Sequence, residues 1–156
     1  MSFFPIFVEL SNKNVLVVGG GKVAYRKIVT LLKFTQNIIV IAPNIIDEIK
    51  ALNIPLYERK FKIEDLSNKF LVITATNDKS LNQEILENCK SKGIMCNSST
   101  STQKDNCIFP SIVKYNDITI GITTNGKSPS ISKKIRKDIE ENISLKEYSN
   151  NLYRKR

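Results

Sequence analysis

The chain has 156 residues, 41% of them hydrophobic, enough for one principal domain with a full core and a smaller second element. A formal net charge of +9 suits an anionic partner, but 8% aromatic residues, no Trp and no strand interleaving basic with aromatic residues argue against a nucleic-acid stacking platform. Three cysteines, none closely paired, and the lack of any His leave a disulfide framework or a zinc site of the usual kind without support.

Residues 1–10 are apolar in places, yet they carry no basic leading region and are interrupted by Pro5 and Glu9, so no signal peptide is read there. No apolar run reaches the roughly 18 to 20 residues that cross a bilayer. Reduced thiols, a cytoplasmic location and no membrane association are expected. Residues 14–18 (NVLVV) form a β-branched apolar run ending in Gly19, Gly20 and Gly21, and Val23, Ala24, Ile28, Leu31 and Leu32 follow at helical spacing. That is strand, tight turn, helix. Residues 38–41 (IIVI) read as a second buried strand, punctuated by Pro43 and Asn44, with a short helix across Ile45, Ile46, Ile49 and Leu52.

Residues 54–57 and 70–74 are the third and fourth strands, residues 81–89 a helix behind the cap candidate Asp78, and residues 94–96 a fifth strand. Strands alternating with helices at this pace predict an α/β fold with a parallel, doubly wound, Rossmann-like sheet. After a polar stretch without periodicity, residues 108–113 and 118–123 predict an antiparallel hairpin around Tyr115, Asn116 and Asp117. Ser128 and Pro129 form a cap and first-turn pair for a last helix, with Ile131, Ile135, Ile139 and Ile143 along one stripe. The expected division is a dinucleotide-binding domain over residues 1–112 and a hairpin-plus-helix region over residues 113–156. The stripe is read as a homodimer contact, with packing back on the domain as the other option; Arg154, Lys155 and Arg156 are read as a solvated end.

Gly19 to Ala24 fits the pattern G-x-G-x-x-A after a strand and at the opening of a helix. In this reading Gly19 permits the turn, Gly21 lets the backbone approach a pyrophosphate, Ala24 lets the helix close on the sheet, and the helix N-terminus faces the phosphates. Gly20, Lys22 and Val23 belong to the same cofactor contact, as do Pro43, Asn44, Thr76 and Asn77 at neighbouring strand ends. The second strand ends without the acid that grips a ribose, leaving Asn44 to bond a hydroxyl. NAD is expected over NADP because no Arg stands there, although Lys33 and Lys50 keep NADP open.

Pro5-Ile6-Phe7, GGGKVAYRK over residues 19–27, ATND over 75–78, Cys96-Asn97, Ile108-Phe109-Pro110-Ser111 and NGKSP over 125–129 occur in an order that resembles the precorrin-2 dehydrogenase and sirohydrochlorin ferrochelatase module of siroheme synthases. The similarity runs from Phe4 to about Ile143. It implies NAD-dependent removal of two hydrogens from precorrin-2, giving sirohydrochlorin for siroheme or cobalamin. The substrate's carboxylates would explain the excess of Lys and Arg, with Lys114, Lys127, Lys133, Lys134 and Arg136 as candidates. By the same resemblance Asn97, Thr124, Lys127 and Ser128 are candidate substrate contacts, turn and capping chemistry being the other reading of Thr124 and Ser128.

One departure bears on the chemistry. The family's acidic residue three positions after the Asn of the Cys-Asn motif is Thr100 here, and Thr cannot serve as a carboxylate base. Asp105, in the same loop, is the substitute candidate, with a loop residue of no catalytic duty as its alternative; otherwise metal insertion is weak or absent, or the activity has changed. The chain also stops earlier than many relatives. Two further readings stand beside the dehydrogenase: a non-catalytic NAD-sensing domain, and a tetrapyrrole metal chelatase with a vestigial dinucleotide site.

Overall fold

The computed structural model describes residues 3–99 and 105–148, which divide into a unit of residues 4–107 and a second unit beginning at Ile108. In the first, β1 (Val15–Val18), β2 (Ile38–Ile41), β3 (Leu56–Tyr57), β4 (Leu71–Thr74) and β5 (Met95–Ser98) form one parallel sheet in the order β3-β2-β1-β4-β5. All four residues of β1 and of β4 are buried, as in a sheet covered on both faces; such strands read as unbroken apolar runs because neither face meets water. Val18 pairs with Ile41 on one side and Thr74 on the other, so β1 is central and the strand order reverses beside it. In open sheets of this kind ligands bind at the carboxyl ends of the strands at that reversal.

Helix α1 (Lys22–Leu31) follows β1 and buries Ala24, Ile28 and Leu31, the residues its apolar spacing selects. The helix read across residues 45–52 is shorter in the structure: α2 covers only Asp47–Lys50, because Ile46 is extended and the preceding Asn44 and Ile45 are pressed against the backbone of Gly20. Likewise β3 is two residues rather than four. Pro55 has no N–H for a ladder, and although its carbonyl accepts from Val40 at 3.0 Å, Ile54 turns its own N–H to Leu52 at 2.8 Å.

Helix α3 (Lys79–Ser91) begins at Asp78, whose carboxylate accepts the Leu81 N–H at 3.0 Å, so the cap read from the sequence is made. It ends on Gly93 at φ +68°, where the Ile94 N–H returns to the Cys89 carbonyl (2.8 Å) and the Gly93 N–H to that of Lys90 (3.2 Å). This paired closure satisfies orphan carbonyls and feeds the chain into β5. Between α3 and the sheet lies a core of Leu16, Val18, Ile41, Leu66, Val72, Ile85, Leu86, Cys89, Ile94 and Cys96.

In the second unit β6 (Ser111–Tyr115) and β7 (Ile118–Ile122) form an antiparallel hairpin in which Tyr115 faces Ile118. The loop is thus Asn116-Asp117 alone, with Asn116 at φ 50°, and Tyr115 belongs to the strand. The first strand starts later than read, after Pro110, which cannot donate to a ladder. Helix α4 (Pro129–Asn142) packs against β6 and β7, with Ser132 buried, while Ile131, Ile135 and Ile143 are 52%, 40% and 43% exposed. Their stripe is therefore not covered within this unit. No helix among the described residues is long and apolar enough to cross a membrane.

Candidate functional site

The turn from β1 into α1 depends on two close backbone approaches. Gly19 has φ +128°, and a Cβ there would lie 2.4 Å from the Ala75 carbonyl oxygen, so both conformation and space demand glycine. A Cβ on Gly20 would lie 2.1 Å from the Asn44 carbonyl oxygen, and the Gly20 carbonyl accepts the Ile46 N–H at 3.0 Å. Gly20 is thereby what lets the segment after β2 close on the turn, a packing duty that the motif alone does not reveal. Gly21 differs: a Cβ there would meet no protein atom within 4 Å, and no side chain caps α1 at this N-cap position.

The beginning of α1 is thus an open, uncapped helix N-terminus at the carboxyl rim of the sheet. Its free N–H groups and positive dipole end suit a diphosphate, and the space at Gly21 lets one approach. The residues present therefore fit a dinucleotide. Lys22 and Val23 are exposed in the first turn, and Pro43 and Asn44 are exposed after β2. After β4, Asn77 is exposed, but Thr76 is tied inward: its hydroxyl lies 2.8 Å from Asn82 Oδ1, and Asn82 Nδ2 donates to its carbonyl at 2.9 Å. Asn82, fully buried on α3, holds this rim loop in shape. Its signal in the sequence was a polar residue on the apolar face of a helix.

A second group of polar residues lies around the end of β5. Asn97 and Asp105 are only 6% and 4% exposed. The Lys27 ammonium, on α1, donates to Asn97 Oδ1, while Asn97 Nδ2 donates to Asp105 Oδ2 at 3.0 Å and to the Cys107 carbonyl at 3.2 Å. The Ser98 N–H also donates to Asp105 Oδ2, at 2.9 Å. Among the described residues Asp105 Oδ1 is buried with no hydrogen-bond partner. Burial pushes the Asp105 carboxyl up to about 6, against the pull of the Ser98 N–H and the Lys27 charge. Burial likewise lowers Lys27 to about 8, with Asp105 opposing, and raises the Cys107 thiol to about 12.

Both amide atoms of Asn97 are spent inside the protein, which leaves this residue a supporting position rather than an exposed contact. Asn106 was not foreseen either: its side chain accepts the Cys96 N–H at 2.6 Å and donates to the Ile94 carbonyl at 2.8 Å, pairing with the outer edge of β5 as a strand would. Thr100 lies outside the described residues.

Thr124, Lys127 and Ser128 fall in the second unit. The Thr124 hydroxyl accepts the Ser128 N–H and donates to the Ser128 carbonyl, each at 3.0 Å, and the Lys127 N–H reaches the Thr124 carbonyl at 3.0 Å. Ser128 stands at the N-cap of α4, but its hydroxyl makes no capping bond and pairs instead with Ser130 at 3.1 Å. The cap-and-proline reading is thus right in position and wrong in chemistry, since Thr124 supplies the hydrogen bonds that shape the turn.

The family model described as "Putative NAD(P)-binding" matches residues 6–111, and that described as "Sirohaem biosynthesis protein central" matches residues 116–142. The siroheme synthase of Blochmanniella pennsylvanica is 39% identical over 144 residues, covering 90% of this chain and 30% of its own length. That of Pseudoalteromonas translucida is 38% identical over 144 residues, again covering 90% of this chain and 30% of its own. The chain spans less than a third of the length of these curated relatives. Among solved structures, one titled SirC, precorrin-2 dehydrogenase, superposes with a TM-score of 0.81 at 29% identity, covering 97% of this chain and 78% of that one.

Proposed function

The chain belongs to the NAD(P)-binding family found in siroheme biosynthesis proteins, and from that membership we propose that it oxidises precorrin-2 to sirohydrochlorin with NAD as hydride acceptor. The observation that carries the reading is the open, uncapped start of α1 behind two sterically required glycines, in a chain similar throughout to a precorrin-2 dehydrogenase. When bound, the nicotinamide supplies the hydride-accepting centre.

The protein's own residues bind and orient. Gly21, Lys22 and Val23 offer backbone N–H groups to the diphosphate; Pro43 and Asn44 border the adenosine side, and Thr76 and Asn77 the rim after β4. Asp105 takes up a proton at Oδ1, the oxygen without a partner among the described residues. Thr100, outside the described residues, is the other catalytic candidate. Lys127, with Thr124 and Ser128 in the turn that opens α4, meets the substrate's carboxylates; Asn97 supports Asp105. We assign residues 1–112 to the cofactor domain and residues 113–156 to a region that pairs two chains through the exposed α4 stripe in the cytoplasm.

Anaerobic incubation of the purified protein with precorrin-2 and NAD tests the activity. One NADH formed for each sirohydrochlorin is the expected result. Precorrin-2 left unchanged, or oxidised at the same rate without NAD, contradicts it.

A further inference from the structure

Lys27 and Asp105 lie far apart in sequence, on α1 and in the loop after β5, and a single side chain, Asn97, connects them. An ammonium group only donates hydrogen bonds, so it must face the carbonyl oxygen of the Asn97 amide. The amide nitrogen is then directed to Asp105 Oδ2 and the Cys107 carbonyl, both of which only accept when the carboxyl is ionised. The direction of the chain of bonds is therefore fixed from two sides, by the Lys27 ammonium at the amide oxygen and by the Cys107 carbonyl at the amide nitrogen. With no cation at Lys27 the amide oxygen loses its donor, the amide is anchored only at the Cys107 carbonyl, and its bond to the Asp105 carboxylate loosens, which removes support from the ionised form.

We propose that Lys27 is a positioning residue for the reaction: acting through the Asn97 amide, it holds the buried Asp105 carboxylate oriented and ionised, with Oδ2 occupied and Oδ1 left to take the proton. The inference rests on the reading of Asp105 as the base. Its geometry is that of three buried or half-buried side chains brought together from α1, β5 and the loop after β5. Among the described residues the charges around it are few. Lys27 faces Asp105 and Cys107, with Arg26 beside it on α1; Asp105 also feels Lys90 from α3. Among the described residues Lys27 is the cation that acts on the carboxylate most strongly and the only one bonded to its amide partner.

The test is the titration of the Asp105 carboxyl, followed by carbon NMR in the full chain labelled at aspartate and assigned with Asp105→Asn, beside the pH profile of kcat. Removing the cation in Lys27→Met should raise the Asp105 titration by roughly one pH unit, the lower range for loss of an opposite charge near a carboxylate. Asn97→Ser, which breaks the link but keeps the ammonium, should move it in the same direction. It also serves as the second variant if Lys27→Met fails to fold. An Asp105 titration unchanged in the folded variants overturns the proposal. A titration that moves while the acidic limb of kcat stays fixed upholds the coupling and removes Asp105 from the chemistry, so the two failures are separable.

Discussion

An added methyl group at Gly20 would sit 2.1 Å from the Asn44 carbonyl oxygen, whereas one at Gly21 would meet no protein atom within 4 Å. The two neighbouring glycines should therefore fail differently. Gly20→Ala should destabilise the protein by about 1–3 kcal/mol, because a backbone atom cannot be moved aside cheaply. Gly21→Ala should cost less than about 1 kcal/mol, the loss of a tolerable N-cap residue, while weakening NAD binding by about tenfold. Denaturant unfolding and calorimetry separate the outcomes; equal stability losses would refute the distinct roles. Asp105 gives a second residue-level prediction. Its folded value of about 6 stands above the ordinary 3.8, so any stability tied to its neutral form is present below about 3.8 and is lost as pH rises through about 6. Asp105→Asn stays neutral, and its stability relative to wild type should improve across that window, with loss of oxidation activity; unfolding curves parallel at every pH would contradict this. Gly19 and Asp105 could be named from the sequence, through a glycine pattern and a polar loop. Lys27 could not be given a role, because its partner Asn97 lies 70 positions away and no local pattern joins them.

At the level of elements, apolar runs and turn chemistry located the strands and helices, and the misjudged boundaries share a cause. Pro55 shortened β3, Pro110 delayed β6, and the demand of Gly20 for bare backbone reduced α2: each is a case in which one residue's hydrogen bonding or contact outweighed the apolar spacing around it. Asn106 was illegible for another reason, since a side chain that imitates a strand at the edge of β5 leaves no periodic mark. The α4 stripe was legible as apolar, but its destination was not, because a four-residue interval describes one face of a helix and says nothing of what covers it. With Ile131, Ile135 and Ile143 between 40% and 52% exposed, Ile135→Lys should leave the folded chain intact and shift it to monomer. Sedimentation equilibrium measures this; an unchanged mass, whether monomeric or dimeric in both proteins, would count against pairing through that face.

For the whole molecule, a net charge of +9 and an open helix start place two attractions for anions in one chain, a diffuse one for a polycarboxylate and a local one for a diphosphate. The first follows from composition and could be read at once. The second required the fold, because Gly21 matters only where β1 delivers α1 to the rim beside the reversal in strand order. Titration calorimetry of NAD into the purified wild-type protein tests this most directly. Saturable binding at one site per chain, tighter for NAD than for NADP, is the predicted result; no heat of binding with either dinucleotide would contradict the account.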